Sequence, residues 1–220
     1  MSKSFFAAIR NGNMDVVCSM LQKKTELLYS TAKTPKKEAG QSPLQIAIRN
    51  KQFEVANMLL DLGADVNFME AEICSNSWRM PVIQDAIMCA VMLTRWNVIQ
   101  EDGSIEVFHS IQEADSAYRI LERMVELGAD MTCIDSYGNS CLMRATLNTR
   151  QILPRFVDTT GEQWNDRVIT TELRTDLNRI FNLLFAHGAN CMEVDRNTGM
   201  PLLTLYEREP VAEFLQLGNY

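Results

Sequence analysis

Two histidines, His109 and His187, are the whole supply of imidazole in this sequence. Acid–base or metal chemistry must therefore draw on them, on paired carboxylates or on cysteines. His109 follows Phe108 in a stretch that also carries Glu101, Asp102, Glu106 and Glu113, where an acid and a base could be paired. The same stretch reads as a charged turn, in which nothing desolvates a carboxylate enough to move its pKa. His187 directly precedes Gly188, a place where the ring caps a helix C-terminus. The six cysteines (Cys18, Cys74, Cys89, Cys133, Cys141 and Cys191) contain no CxxC pair, which removes zinc ribbons and redox motifs. Several fall inside apolar helical patterns, where a free thiol behaves as a small core residue. No GxGxxG, phosphate loop, HExxH, GxSxG or EF-hand loop occurs. The expectation is a chain with no catalytic residue, no metal and no cofactor.

The elements that would position any site are clearest from Gln41 to Glu70. Ser42-Pro43-Leu44 marks a helix start, and apolar stretches Leu44 to Ile48 and Phe53 to Leu62 follow, split by a polar turn. Gly63 supplies a left-handed helix stop, and Ala64-Asp65-Val66-Asn67 leads away as an extended finger. Helix, turn, helix, stop and finger fit in about 33 residues. The stretch resembles an ankyrin repeat, with Ser42, Pro43, Leu44, Ala47, Leu59, Leu60, Gly63, Ala64, Asp65, Val66 and Asn67 matching the family pattern. The fold implied is an all-α ankyrin-repeat solenoid of helix-turn-helix units with a small β-hairpin insertion.

The rest of the chain reads as variations on that unit. Residues 5 to 24 form a first pair, with Val17, Met20 and Leu21 on one face and Lys23-Lys24 where the glycine would lie. A long connection to residue 40 follows, in which Pro35, Lys36, Lys37 and Gly40 predict a flexible tip. In the third unit Pro81 is offset by one residue from the place of Pro43, and Val82 to Trp96 predicts a long first helix. Val98, Ile99, Ile105, Val107 and Phe108 around Asp102-Gly103 predict a hairpin. Glu113 to Leu127 is then the second helix, closed by Gly128-Ala129-Asp130. The fourth unit opens at Asp135-Ser136-Tyr137-Gly138-Asn139-Ser140, with Cys141 in place of proline. It carries a second insertion with Trp164, resumes as a helix after Thr171 and stops at His187-Gly188. A last piece has Pro201-Leu202-Leu203 and a helix over 211–217, with Glu207, Arg208, Glu209 and Glu213 expected to face solvent. One domain over 1–220 is expected, with repeats at 1–30, 37–69, 70–134, 135–194 and 195–220 and insertions at 97–112 and 155–170. The two insertions are expected to pack together, and Trp96 and Trp164 to pin them.

The resemblance implies a non-enzymatic protein–protein interaction module, binding a partner through the concave face of fingers and first helices. Family recognition positions map onto Arg10 and Asn11, Arg49 and Asn50, Met88 and Cys89, and Leu147 and Asn148 at the first-helix ends. At the finger tips they map onto Met69, Trp78, Ile134, Ser136, Tyr137 and Asn139. Aromatic and arginine side chains supply most interface energy, which singles out Tyr137, Trp78 and Arg49.

A formal net charge of −7 opposes nucleic-acid binding and admits a basic partner. Two narrower readings follow: an immunity- or inhibitor-type protein capping a basic toxin or enzyme, or a delivered ankyrin effector. The longest apolar run, Ala86 to Leu93, falls well below the roughly 18 residues that span a bilayer, and no signal peptide is read at the N-terminus. With reduced thiols, the expectation is a cytoplasmic monomer that binds another protein, with no membrane and no nucleic acid.

Overall fold

Ser42 closes a capping box: its hydroxyl accepts from the Gln45 N–H at 3.1 Å, while the Gln45 side chain accepts from the Ser42 N–H at 3.0 Å. Two of the N–H groups a helix start leaves unpaired are thereby used. Ser110 and Glu113 repeat the box at a later helix, and Ser140 and Thr170 cap two more. At the other end, Gly63, Gly128 and Gly188 all adopt positive φ. Each lets the following alanine N–H reach back to a leucine or methionine carbonyl, at 2.9 to 3.0 Å.

The computed structural model describes residues 2–72, 78–156, 163–164 and 166–219. Helices come in pairs: α1 (Ser2–Arg10) with α2 (Met14–Lys23), α3 (Pro43–Arg49) with α4 (Phe53–Asp61), and α5 (Val82–Met92) with α6 (Ile111–Glu126). α7 (Cys141–Ile152) with α8 (Thr171–Ala186) and the short α9 (Leu202–Leu205) with α10 (Ala212–Leu215) complete the order. First helices touch in sequence, α1 on α3, α3 on α5 and α5 on α7, and α4, α6 and α8 do the same in a second layer. One apolar cluster runs from Phe5 and Phe6 through Leu59 and Leu121 to Phe181, Phe214 and Leu215. Leu184 takes the fully buried place in α8, with Leu183 half-buried beside it.

Fingers project between pairs, and each closes on an isolated bridge: Met69 with Pro81, Ile134 with Ser140, Val194 with Pro201. Pro81 is the cap residue of α5 whereas Pro43 is the first helical residue of α3, which accounts for the one-residue offset. A two-stranded ladder, β1 (Asn97–Ile99) on β2 (Ile105–Val107), lies between α5 and α6 as the Asp102-Gly103 signal predicts. A second, β3 (Arg155–Phe156) on β4 (Gln163–Trp164), lies between α7 and α8. Residues 73–77 with Cys74, the interior of the second insertion (157–162 and 165), and the pinning role expected of Trp164 fall outside what is described.

Three expectations change. The first helix of the third unit stops at Met92 rather than Trp96, because Thr94 folds its hydroxyl back to the Val91 carbonyl and Asp176 takes the Arg95 N–H. The connection after α2 is anchored by two 3₁₀ turns, Thr25–Tyr29 and Lys36–Glu38. Its last turn is pinned where buried Glu38 meets Arg10, with Nε to Oε1 at 2.9 Å. In the last unit the helix spans only Ala212–Leu215 before a 3₁₀ turn. There Glu209 is half-buried and drawn to Arg150, while Glu207, Arg208 and Glu213 are exposed as expected, Glu213 pairing with Arg174 at the surface.

Candidate partner-binding surface

A buried carboxylate sits at the base of each finger: Glu70, Asp135 and Asp195. Asp135 shows what it does. One oxygen accepts the N–H groups of Tyr137 and Asn139, both at 2.9 Å. The other accepts Asn139 Nδ2 at 2.8 Å, Trp78 Nε1 at 3.1 Å and Arg144 Nη2 at 2.8 Å. Burial alone would raise its pKa, but the bonds from Asn139, Trp78 and Tyr137 outweigh that and hold the group below the usual carboxylate range. The Arg144 guanidinium lies 5.0 Å over the Trp78 ring, a cation–π contact that ties the preceding finger to α7. Arg79 and Ser136 add two bonds between the fingers, Arg79 N–H to Ser136 Oγ at 2.9 Å and Ser136 N–H to the Arg79 carbonyl at 3.0 Å.

Trp78, Ser136, Tyr137 and Asn139 are thus brought into one cluster, with the Tyr137 side chain left 62% exposed at its tip. Gln84, third in α5, reinforces it by donating to the Asn139 carbonyl at 2.9 Å. Gln45 is third in α3 and does the corresponding job, donating to the Met80 carbonyl at 3.1 Å. The sequence reasoning missed these buried glutamines. The available signal was a polar residue at one register inside two apolar helix starts.

Along the finger tips Met69, Ile134 and Val194 are exposed at equivalent bridge positions, joined by Met192 and Met200. Val194, Met192 and Met200 were also missed, although Val194 repeats the register of Met69 and Ile134. The helix-end positions are more varied. Asn11 is exposed. Arg10 is held by Glu38, whose hydrogen bond raises its pKa, and Arg49 reaches Asp85 at 3.2 Å. Asn50 uses its side chain on the Ile46 carbonyl of its own helix. Asn148 is 4% exposed and lies inside α7, because that helix runs five residues longer than α3 (12 against 7). Counting from the helix start therefore carried the position into the core. Leu147 instead lines a cleft of about 560 Å³ between α7 and residues 209–211, where Arg150 pairs with Glu209 and lies 4.7 Å over Tyr206.

Residues 3–70 match the family model described as ankyrin repeats (3 copies). Ankyrin repeats are present over that stretch. No curated protein matches the chain. Ankyrin repeats are generally protein–protein interaction modules, and the family is typically non-enzymatic. Among the described residues no group of three or more His, Cys, Asp or Glu could hold a metal ion, and no helix is long and apolar enough to cross a membrane.

Away from the fingers, the insertions do pack together. Ile99 N–H donates to the Asp166 carbonyl at 2.6 Å, and the Asn97 amide bonds both ways with Val168, at 2.9 and 3.0 Å. Trp96 pins the hairpin: it stacks on Phe108 at 4.1 Å and carries Arg167 5.2 Å over its ring. His109, in the stretch that reads as a charged turn, is tucked edge-on against Trp96 beside Glu113.

Proposed function

We propose that this ankyrin-repeat chain is a non-enzymatic module that holds another protein across its finger tips and adjoining first-helix ends. The observation that carries the reading is the Asp135 cluster, which fixes the finger between α6 and α7 before any partner arrives while leaving Tyr137 at its tip. A side chain whose backbone is already ordered loses less entropy on binding, so preorganised aromatics make strong anchors. Met69, Ile134 and Val194 extend the contact as an apolar row, and Arg49 and Asn11 supply polar contacts at the helix ends. We take 1–220 to be one stack of five units acting as a monomer in the cytoplasm. The insertions, on the edge away from the fingers, brace it.

Affinity capture from the native source tests this, comparing the unaltered chain with Tyr137→Ala and Ile134→Ser. Both side chains are exposed, so the variants keep the fold. Capture should fall at least tenfold with Tyr137→Ala. Undiminished capture with both variants would move the binding surface off the fingers.

A further inference from the structure

Cys133 lies in the finger that follows α6 and Cys141 is the first residue of α7. Their sulfurs are 3.7 Å apart. The finger turns back on itself between them, closed by the Ile134–Ser140 bridge, so the eight-residue separation in sequence becomes a contact in space. Access differs sharply: Cys133 is half-buried, whereas Cys141 is sealed in the core. We propose that Cys133 and Cys141 form a two-thiol modification site that takes up a disulfide in exchange with a low-molecular-weight disulfide such as oxidised glutathione.

The asymmetry assigns the order of events. A disulfide reagent can reach Cys133 and cannot reach Cys141. Cys133 is also the better nucleophile, because the hydrogen bond from the Cys141 thiol stabilises its thiolate and lowers its pKa. That same hydrogen bond, with burial, pushes the Cys141 thiol up. The Cys133 thiolate attacks one sulfur of the reagent; the reagent's S–S bond breaks, and the departing thiolate takes up a proton. Cys141, already in contact, then gives up its proton and attacks the Cys133 sulfur of the mixed disulfide. The new Cys133–Cys141 bond forms and the second small thiol leaves. Two protein thiols are oxidised and one small disulfide is reduced to two thiols. The sulfurs must close from 3.7 Å to about 2.0 Å. The backbone between them carries Ser136, Tyr137 and Asn139, so the bond would lock the finger that displays Tyr137. The chemistry is independent of any partner.

The full chain is incubated in glutathione redox buffers of increasing oxidised fraction, quenched by alkylation and digested without reduction. Oxidation should leave the tryptic peptide that carries both Cys133 and Cys141 unalkylated and about 2 Da lighter than its dithiol form, which dithiothreitol restores. Cys141→Ser should stop at a glutathione adduct on Cys133, and Cys133→Ser should leave Cys141 reduced. The proposal is overturned if the unaltered protein keeps both thiols free in buffers where glutathione is fully oxidised. Oxidation that joins either cysteine to a different partner overturns it equally. Because the decisive result comes from the unaltered chain, it stands even if a variant folds poorly.

Discussion

Asp85 is fully buried between the second and third units, where Gln45 donates to it at 2.8 Å and Arg49 at 3.2 Å. Burial pushes its pKa up to about 7; Arg49 and Gln45 pull it down without cancelling that, and Glu70 adds to the rise. The folded state therefore binds a proton that the unfolded chain releases at ordinary carboxylate pKa. Its contribution to stability is fully present below about pH 4 and is lost as pH rises through about 7. Urea unfolding across that range should show stability falling with pH, and Asp85→Asn should flatten this slope. Lys51 is a second residue under local strain, with φ of 58° in the turn between α3 and α4. The same turn in the first unit has Gly12. Lys51→Gly should raise stability by up to about 1 kcal/mol in the same assay, since relief of left-handed strain exceeds the added chain entropy. Charged residues such as Asp85 were invisible as core members in the sequence. Their burial depends on which helix packs opposite, and no local pattern carries that.

The helices were legible where they are capped and stopped by local chemistry, as at Ser42-Pro43 and Gly63. Ends set by distant partners were not: α5 stops early because Arg95 is drawn to Asp176, with Nε to Oδ2 at 2.9 Å and Nη2 to Oδ1 at 2.9 Å. Those residues are 81 apart in sequence, far outside any periodic signal. The hairpin was readable from Asp102-Gly103, and its docking on the second insertion followed only as an inference from spacing. Asn97 carries that docking. It is fully buried, and both ends of its amide are used by Val168. Asn97→Ala would leave the Val168 N–H and carbonyl unpaired, at about 1–3 kcal/mol for each group. Hydrogen exchange should show the Val168 and Ile99 amides losing protection while those of α5 keep theirs.

Across the whole molecule the central feature is that helix pairs share one apolar cluster and so hold their fingers in a common register. Leu121 is fully buried where α6 meets its neighbours, and Leu121→Ala should cost about 2–5 kcal/mol in equilibrium unfolding. Stacked units are stable through their neighbours, so the loss should lower the unfolding midpoint of the whole chain. In the function proposed above, the same finger register turns separate exposed side chains into a binding surface. Hydrogen-exchange footprinting of the complex with the captured partner tests this most directly. The account predicts new protection along the fingers, at residues 64–70, 129–139 and 190–196, with the insertions unchanged. Protection confined to 97–112 and 155–170, with the fingers exchanging as in the free protein, would contradict it.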